Sequence, residues 1–408
     1  MLLNHCKPNF YCEINLPTSK SIYNRAKILK TLYNLNLTIK NPSNSDDSVL
    51  LDAILESDSS EINCKNAGTV FRFLTAYYSV KPTNVNLSGT DRMHQRPIGQ
   101  LVDALNQLGA NIQYLNKEGF PPLQISKGHF TGNSIIIGSQ TSSQFISALM
   151  MIGPYLENGL RITLEGKIAS KPYVVLTQKL MMRLGFECTF KNRVITTRRS
   201  SPSIAKKYLN IEPDWSAMSF WFQIIAFSNN SKVFIKHLKT ASLQGDAVLL
   251  KWAPYFGLKL TPQSNGMLLE KTGPLNLPHK IWDLHKYPDL APSLIVMFAA
   301  LKIDSSFVGL ESLKIKECDR TLALQKELKK CKVDFFELND MWILKASNFT
   351  LKENTEFENY DDHRIAMALG CLSFLKPIRM ANAEAVNKSY PDFWKHLSLT
   401  QTYICDHK

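Results

Sequence analysis

"RPIGQLVDALNQLGANIQY", residues 96–114, decides how this chain folds. Ile98, Leu101, Val102, Leu105 and Leu108 recur at helical spacing and predict one amphipathic helix. Gly109 is the residue type that closes such a helix in a left-handed cap, and 110–114 then reads as a strand. The same order of polar start, helix and short strand returns three times. It is found in "KPYVVLTQKLMMRLGFECTF" from Lys171, "QGDAVLLKWAPYFGLKL" from Gln244 and "DRTLALQKELKKCKVDFFE" from Asp319. The four starts lie 75, 73 and 75 residues apart. Gly185 and Gly257 take the part of Gly109, and Lys332 stands there in the fourth segment. So long a period exceeds that of a solenoid repeat. It fits a compact unit of two helices and several strands, and helices over 21–32 and 46–55 fit the same scheme.

At 408 residues the chain is long enough for two domains. Helices alternate with strands that return in short hairpins, which predicts an α/β fold with mixed sheets and two similar domains of about three units each. The net charge of +13 fits either a lysine-rich protein or an anionic partner. Nucleic acid is disfavoured, because the densest basic stretches, Lys191–Arg199 and Lys329–Lys332, are short and carry no interleaved aromatics. Eight cysteines are scattered without C-x-x-C or zinc spacing, so reduced and mostly buried thiols are expected. "MLLNHCKPNF" has no sustained apolar segment of a signal peptide, and the apolar run 294–301 is too short to span a bilayer. A cytoplasmic protein is the expectation.

The chemistry gathers where helices begin. A helix N-terminus offers unpaired N–H groups and a partial positive charge, a natural seat for an anion. In "LPTSKSIYNR" a short alternating stretch runs into Pro17, and Lys20, Ser21 and Arg25 follow, the last two on one helix face. "NAGTVFRFLTA" places Gly68 where backbone can approach a ligand, Thr69 as a cap, and Arg72 a turn later. "DRMHQRPIG" sets Arg96 before Pro97, a helix-start residue. "TSSQF" presents Ser142, Ser143 and Gln144 ahead of a helix over 145–155, and "ASKPY" presents Ser170 and Tyr173 around Lys171. In "KYPDLAPSLIVMFAAL" Asp289 precedes an almost wholly apolar helix, as its cap or as a proton acceptor. "LKIKECDRT" gives Lys316, Glu317, Asp319 and Arg320 after a strand ending near Ile315. "YDDHRIAMALGCL" concentrates Asp362, His363 and Arg364 at a helix start, and "NKSYPDF" adds Lys388. Each stretch alone looks like an ordinary capped helix or a solvated charge cluster. Together they pair many cations and hydroxyls with few carboxylates, which suits acid–base chemistry on a polyanionic substrate. No phosphate-binding P-loop, G-x-G-x-x-G or nucleophile triad occurs.

Nine of these strings, in order and from end to end, resemble the 5-enolpyruvylshikimate-3-phosphate synthase family of enolpyruvyl transferases. The resemblance implies two inside-out α/β domains, each of three βαββαβ units around a pseudo-threefold axis. The first would comprise 1–18 plus 213–408 and the second 19–212, with the active site in the cleft between them. It implies a transferase moving the carboxyvinyl group of phosphoenolpyruvate to shikimate 3-phosphate, with no metal or organic cofactor, as a monomer. By matching position, Lys20, Ser21, Arg25, Ser142, Ser143, Gln144, Ser170, Asp289 and Lys316 would bind shikimate 3-phosphate. Lys20, Gly68, Arg96, Gln144, Arg320, Arg364 and Lys388 would bind phosphoenolpyruvate. Asp289 would be the base and Glu317 the acid, with Lys20 the third catalytic residue. The chain departs from the family pattern at Thr18 and Lys65, where glycine is usual, at Phe73, where many members have proline, and at Ser312, where some have asparagine. The related transferase acting on UDP-N-acetylglucosamine uses a loop cysteine before its Arg-Pro, and "GTDRMHQ" before Arg96 has none. A non-catalytic phosphate- or nucleic-acid-binding protein on the same fold is disfavoured by Lys20, Asp289 and Glu317.

Overall fold

The computed structural model describes residues 1–4, 9–138, 142–166, 168–200, 202, 207–400 and 404–405. Of the features above, Cys6 and Thr141 lie outside the described residues, as does the side chain of Cys405. The chain divides into two compact units, Met1–Thr18 with Glu212–Lys408, and Ser19–Ile211. Ser19–Ile211 holds 23 Lys and Arg against 12 Asp and Glu, and so carries +11 of the net +13.

One strand pattern recurs through both units. Among the described residues there are five four-stranded sheets and one two-stranded pair. In the discontinuous unit, Tyr11–Ile14 runs parallel to Lys232–Lys236, followed by antiparallel Gly266–Lys271 and Leu258–Gln263. Ile281–Asp283, Ser305–Val308, Met341–Lys345 and Asp334–Leu338 repeat that order. Thr355–Phe357 and Ile378–Met380 begin it again, and Leu2–Leu3 and Ile404–Cys405 complete it. In the other unit the order appears in Glu61–Asn63, Val85–Ser88, Leu123–Ser126 and Asn111–Tyr114. It appears again in Ser134–Gly138, Leu160–Glu165, Val194–Thr197 and Cys188–Lys191. The pair Thr38–Lys40 and Tyr208–Asn210 is parallel. The parallel neighbours need a crossover and the antiparallel ones a hairpin, so each four-stranded sheet is mixed, as the sequence predicts. Their strands alternate exposed and buried residues, as in Tyr11–Ile14 and Ser134–Gly138, so one face of each sheet meets solvent.

The crossover helices form the interior of each unit. Trp215–Phe227 buries every residue as far as Ala226, Ala291–Ala300 buries its first nine, and His363–Gly370 buries all eight. A helix apolar on all sides has to be surrounded by protein, and these three pack on one another. The amphipathic helices Gly99–Leu108, Lys171–Arg183 and Arg320–Lys329 bury only a stripe.

Three local expectations need correction. The segment from Gln244 is a 3-10 turn, Leu249–Trp252 as a single α-turn, and a second 3-10 turn, because Pro254 cannot donate to the helix ladder. Residues Glu311–Ile315 form a 3-10 turn rather than the end of a strand. Ala67, not Thr69, is the N-cap of Gly68–Ser79.

The repeat's closing residue is left-handed in all four segments, with φ of 109° at Gly109, 85° at Gly185, 67° at Gly257 and 58° at Lys332. A side chain in this region is strained, and at Gly109 a Cβ would also strike the backbone of His129. Two substitutions at equivalent positions should therefore act in opposite directions. Lys332→Gly is expected to raise stability by about 0.5–1 kcal/mol, and Gly109→Ala to lower it by more than about 1 kcal/mol. Urea denaturation midpoints check both.

Candidate active site

In the Ser19–Ile211 unit most of the expected residues stand at the starts of four helices. Lys20 opens Lys20–Leu32, behind Ser19 as N-cap, and pairs with Asp47 at 2.8 Å. Arg25, one turn on, is 1% exposed. Its partners are neutral: Thr177 Oγ1 at 2.7 Å, Ser147 Oγ at 3.1 Å and the Ser21 carbonyl at 2.8 Å. Phe73 and Tyr173 cover the guanidinium at 5.1 and 5.9 Å. Burial pushes Arg25 down to about 10. Phe73 is thus spent on holding Arg25.

Gly68 begins the Gly68–Ser79 helix under two guanidinium groups. A Cβ there would lie 2.5 Å from Arg72 Nη1 and 2.6 Å from Arg96 Cζ, so any side chain would displace the guanidinium groups from where they stand. Arg96 also donates to the Asn66 carbonyl at 3.4 Å, and Arg72 lies over the Phe145 ring at 5.4 Å. Ser142 caps Ser143–Ile152, accepting from the Gln144 N–H, while the Gln144 side chain reaches Thr69 at 2.9 Å. Ser170, left-handed at φ 52°, precedes Lys171–Arg183.

In the discontinuous unit the expected residues gather around Arg320, whose side chain is 2% exposed. Arg320 Nε meets Asp362 at 2.8 Å, Nη2 meets Glu317 at 2.9 Å, and Nη1 lies 3.6 Å from Asp289. Arg364 meets the Asp289 carboxylate at 3.1 Å and its carbonyl at 3.0 Å. Asp362, fully buried, caps His363–Gly370 through the Arg364 N–H with its other oxygen. Burial alone lowers the affinity of Arg320 for its proton, but Asp362, Glu317 and Asp289 together raise it above the usual arginine value. Asp289 is not a cap, since Leu290 holds that place, and its carboxylate faces the arginines instead. Lys316 follows the Glu311–Ile315 turn and Lys388 ends the Ala383–Lys388 turn.

Reading the sequence missed several partners. Asp47 lay unremarked in "NPSNSDDSVL", though an acidic pair opening a helix was its signal. Asp214, Asp289 and Asp362 stand just before the three buried crossover helices, 75 and 73 residues apart, so the repeat itself would have found Asp214. Asp246, 3% exposed, accepts from Ser216 Oγ. Its carboxyl is pushed up to about 7 by burial, then by Asp289 and Asp214, against Ser216 and Arg364. Cys318 Sγ lies 3.7 Å from Asp362, and burial holds the thiol well above its usual range. None of the six cysteines with described side chains forms a disulfide. Among the described residues, no group of three or more His, Cys, Asp or Glu could hold a metal ion, and no helix is long and apolar enough to cross a membrane.

Repeated mixed sheets around buried helices, with cations, hydroxyls and a few carboxylates at the helix ends, are an arrangement suited to an enzyme acting on small anionic substrates. Comparison with known proteins narrows this. Residues 49–397 match the family model described as EPSP synthase (3-phosphoshikimate 1-carboxyvinyltransferase). A 3-phosphoshikimate 1-carboxyvinyltransferase of Bacteroides fragilis (strain YCH46) is 38% identical over 387 residues, 94% of each chain. One from Buchnera aphidicola subsp. Cinara cedri is 32% identical over 422 residues, covering 96% of this chain and 95% of the relative. The solved EPSP synthase of Acinetobacter baumannii shares the fold, with a TM-score of 0.74 at 18% identity over 97% of this chain and 96% of that one. The chain belongs to the EPSP synthase family.

The Asp246 environment makes a testable statement. Its folded carboxyl holds a proton to about pH 7, against a reference of 3.8, so its stabilising contribution is full below about pH 4 and lost as pH rises through 7. Asp246→Asn is therefore expected to gain stability relative to the parent between pH 4 and 7. Denaturation midpoints at pH 5 and pH 8 check it, and a difference that does not change with pH contradicts the burial assigned to this carboxyl.

Proposed function

We propose that this chain is a transferase that moves the carboxyvinyl group of phosphoenolpyruvate to the 5-hydroxyl of shikimate 3-phosphate. The products are 5-enolpyruvylshikimate 3-phosphate and phosphate, in the shikimate pathway leading to chorismate and the aromatic amino acids. Family membership carries this reading, and the contacts among Asp289, Glu317, Arg320 and Arg364 support its residue roles. The domains on this reading are 1–18 plus 213–408 and 19–212. The enzyme works as a monomer in the cytoplasm.

Lys20, Ser21, Arg25, Ser142, Ser143, Gln144, Ser170, Asp289 and Lys316 hold shikimate 3-phosphate. Lys20, Gly68, Arg96, Gln144, Arg320, Arg364 and Lys388 hold phosphoenolpyruvate. Each phosphate monoester brings about −1.5 to −2 charges at neutral pH, and each substrate adds a carboxylate. Arg25 suits such a ligand, since its protein partners are hydroxyls and a carbonyl and leave its charge uncompensated. Arg96 and Arg72 over Gly68 offer planar forks to a second anion.

In the addition step Asp289 takes the 5-hydroxyl proton as that oxygen bonds to C2 of phosphoenolpyruvate. Glu317 gives a proton to the C3 methylene, forming a tetrahedral intermediate. Loss of phosphate and of one methyl proton restores the double bond. Glu317 lies 2.9 Å from Arg320, the arginine assigned to phosphoenolpyruvate, so the acid stands beside the substrate it protonates.

Phosphate release from phosphoenolpyruvate is expected to depend on shikimate 3-phosphate; release independent of it contradicts the reading. Glu317→Gln should lose about 10²–10⁴-fold in turnover while both substrates still bind, measured by steady-state rates beside equilibrium titration. Unchanged turnover removes Glu317 from the acid role.

A further inference from the structure

The Arg320–Lys329 helix carries a second buried charge that the reaction does not use. Glu327 lies seven residues after Arg320, two turns on along the same face, and is 1% exposed. Its Oε1 accepts from the Tyr360 hydroxyl at 2.8 Å. Its Oε2 accepts from the Glu358 N–H at 2.9 Å and from Lys330 Nζ at 2.6 Å. Two of these three donors belong to one loop, 358–362, the loop that delivers Asp362 and Arg364.

That loop is strained. Tyr360 and Asp361 are consecutive non-glycine residues in the left-handed region, with φ of 53° and 54°. Such conformations persist only where surrounding structure over-determines them. Asn359, fully buried, supplies part of that hold. Its Nδ2 donates to the Asn382 carbonyl at 2.8 Å and also to the Ala381 carbonyl, and its Oδ1 accepts from the Asp361 N–H at 3.0 Å. The Asp362 N–H then returns to the Asn359 carbonyl at 2.9 Å. Glu327 supplies the rest from the helix side.

One helix therefore grips one loop at two points, Arg320 on Asp362 at its start and Glu327 on Tyr360 and Glu358 two turns later. We propose that Glu327, acting through Tyr360 and the left-handed 358–362 loop, is a positioning residue that sets the Arg320 and Arg364 guanidinium groups for phosphoenolpyruvate. This rests on the assignment of those two arginines above. Short charge-assisted contacts have narrow geometry, so a loop displaced by a fraction of an ångström misplaces both forks.

The test is steady-state kinetics on the full chain with Glu327→Gln, Tyr360→Phe and, as references, Arg320→Lys and Arg364→Lys. Glu327→Gln should raise KM for phosphoenolpyruvate at least tenfold and Tyr360→Phe severalfold, with KM for shikimate 3-phosphate held within about twofold. Tyr360→Phe removes one hydroxyl and keeps the ring, so it remains informative if Glu327→Gln does not fold. If the arginine variants raise KM for phosphoenolpyruvate and neither loop variant does, the positioning role is overturned while the substrate assignment stands. It is overturned likewise if both substrates' KM values rise together in step with lost thermal stability. If the arginine variants leave that KM unchanged, the substrate assignment fails and the proposal with it.

Discussion

The Arg320 guanidinium, buried to 2% exposure, is held by carboxylates that replace the water it has lost. Arg320 imposes that condition on the discontinuous unit. Its three carboxylate neighbours come from separate stretches of chain, Asp289 before one crossover helix, Glu317 after a 3-10 turn and Asp362 at the cap of another helix. None of these can move without leaving a buried charge exposed to a medium of low dielectric, which costs about 3–5 kcal/mol when one partner is removed.

The Ser19–Ile211 unit solves the opposite problem. Arg25 is as buried as Arg320, yet it is met by hydroxyls, a carbonyl and two aromatic faces. A cation held in this way stays available to an incoming anion, and burial strengthens that attraction by excluding water. The distribution of charge along the sequence agrees, since nearly all of the net positive charge falls in this unit.

Much of this was legible in the sequence. The spacing of the "RPIGQLVDALNQLG" pattern exposed the repeat, since helical periodicity and a left-handed cap are local properties. Lys332 shows the limit of such reading: a residue that departs from the glycine pattern still adopts the glycine conformation, because the unit's packing decides. Pro254 broke its helix in a way that periodicity could not weigh against the proline ring. Lys20, Arg25, Asp289, Arg320 and Arg364 could be named from motifs. Asp246 and Glu327 could not, because their partners are distant along the chain, Ser216 lying 30 residues from Asp246 and Tyr360 33 residues from Glu327. Asp289 reads as a possible cap in the sequence because the adjacent helix is visible there and the arginines are not.

The pairing of Tyr11–Ile14 with Lys232–Lys236 bears on the order in which the molecule is made. The first strand leaves the ribosome long before its neighbour exists, with the whole of Ser19–Ile211 synthesised in between. Joining the two strands across an unfolded stretch of that length carries a chain-closure penalty of about 5 kcal/mol. Once the inserted unit has folded, Thr38–Lys40 lies beside Tyr208–Asn210, and the gap left to close shrinks to a few tens of residues. The penalty then falls by about 2 kcal/mol. The inserted unit acts as a clasp for the one that encloses it: what is built second in sequence has to be finished first in space.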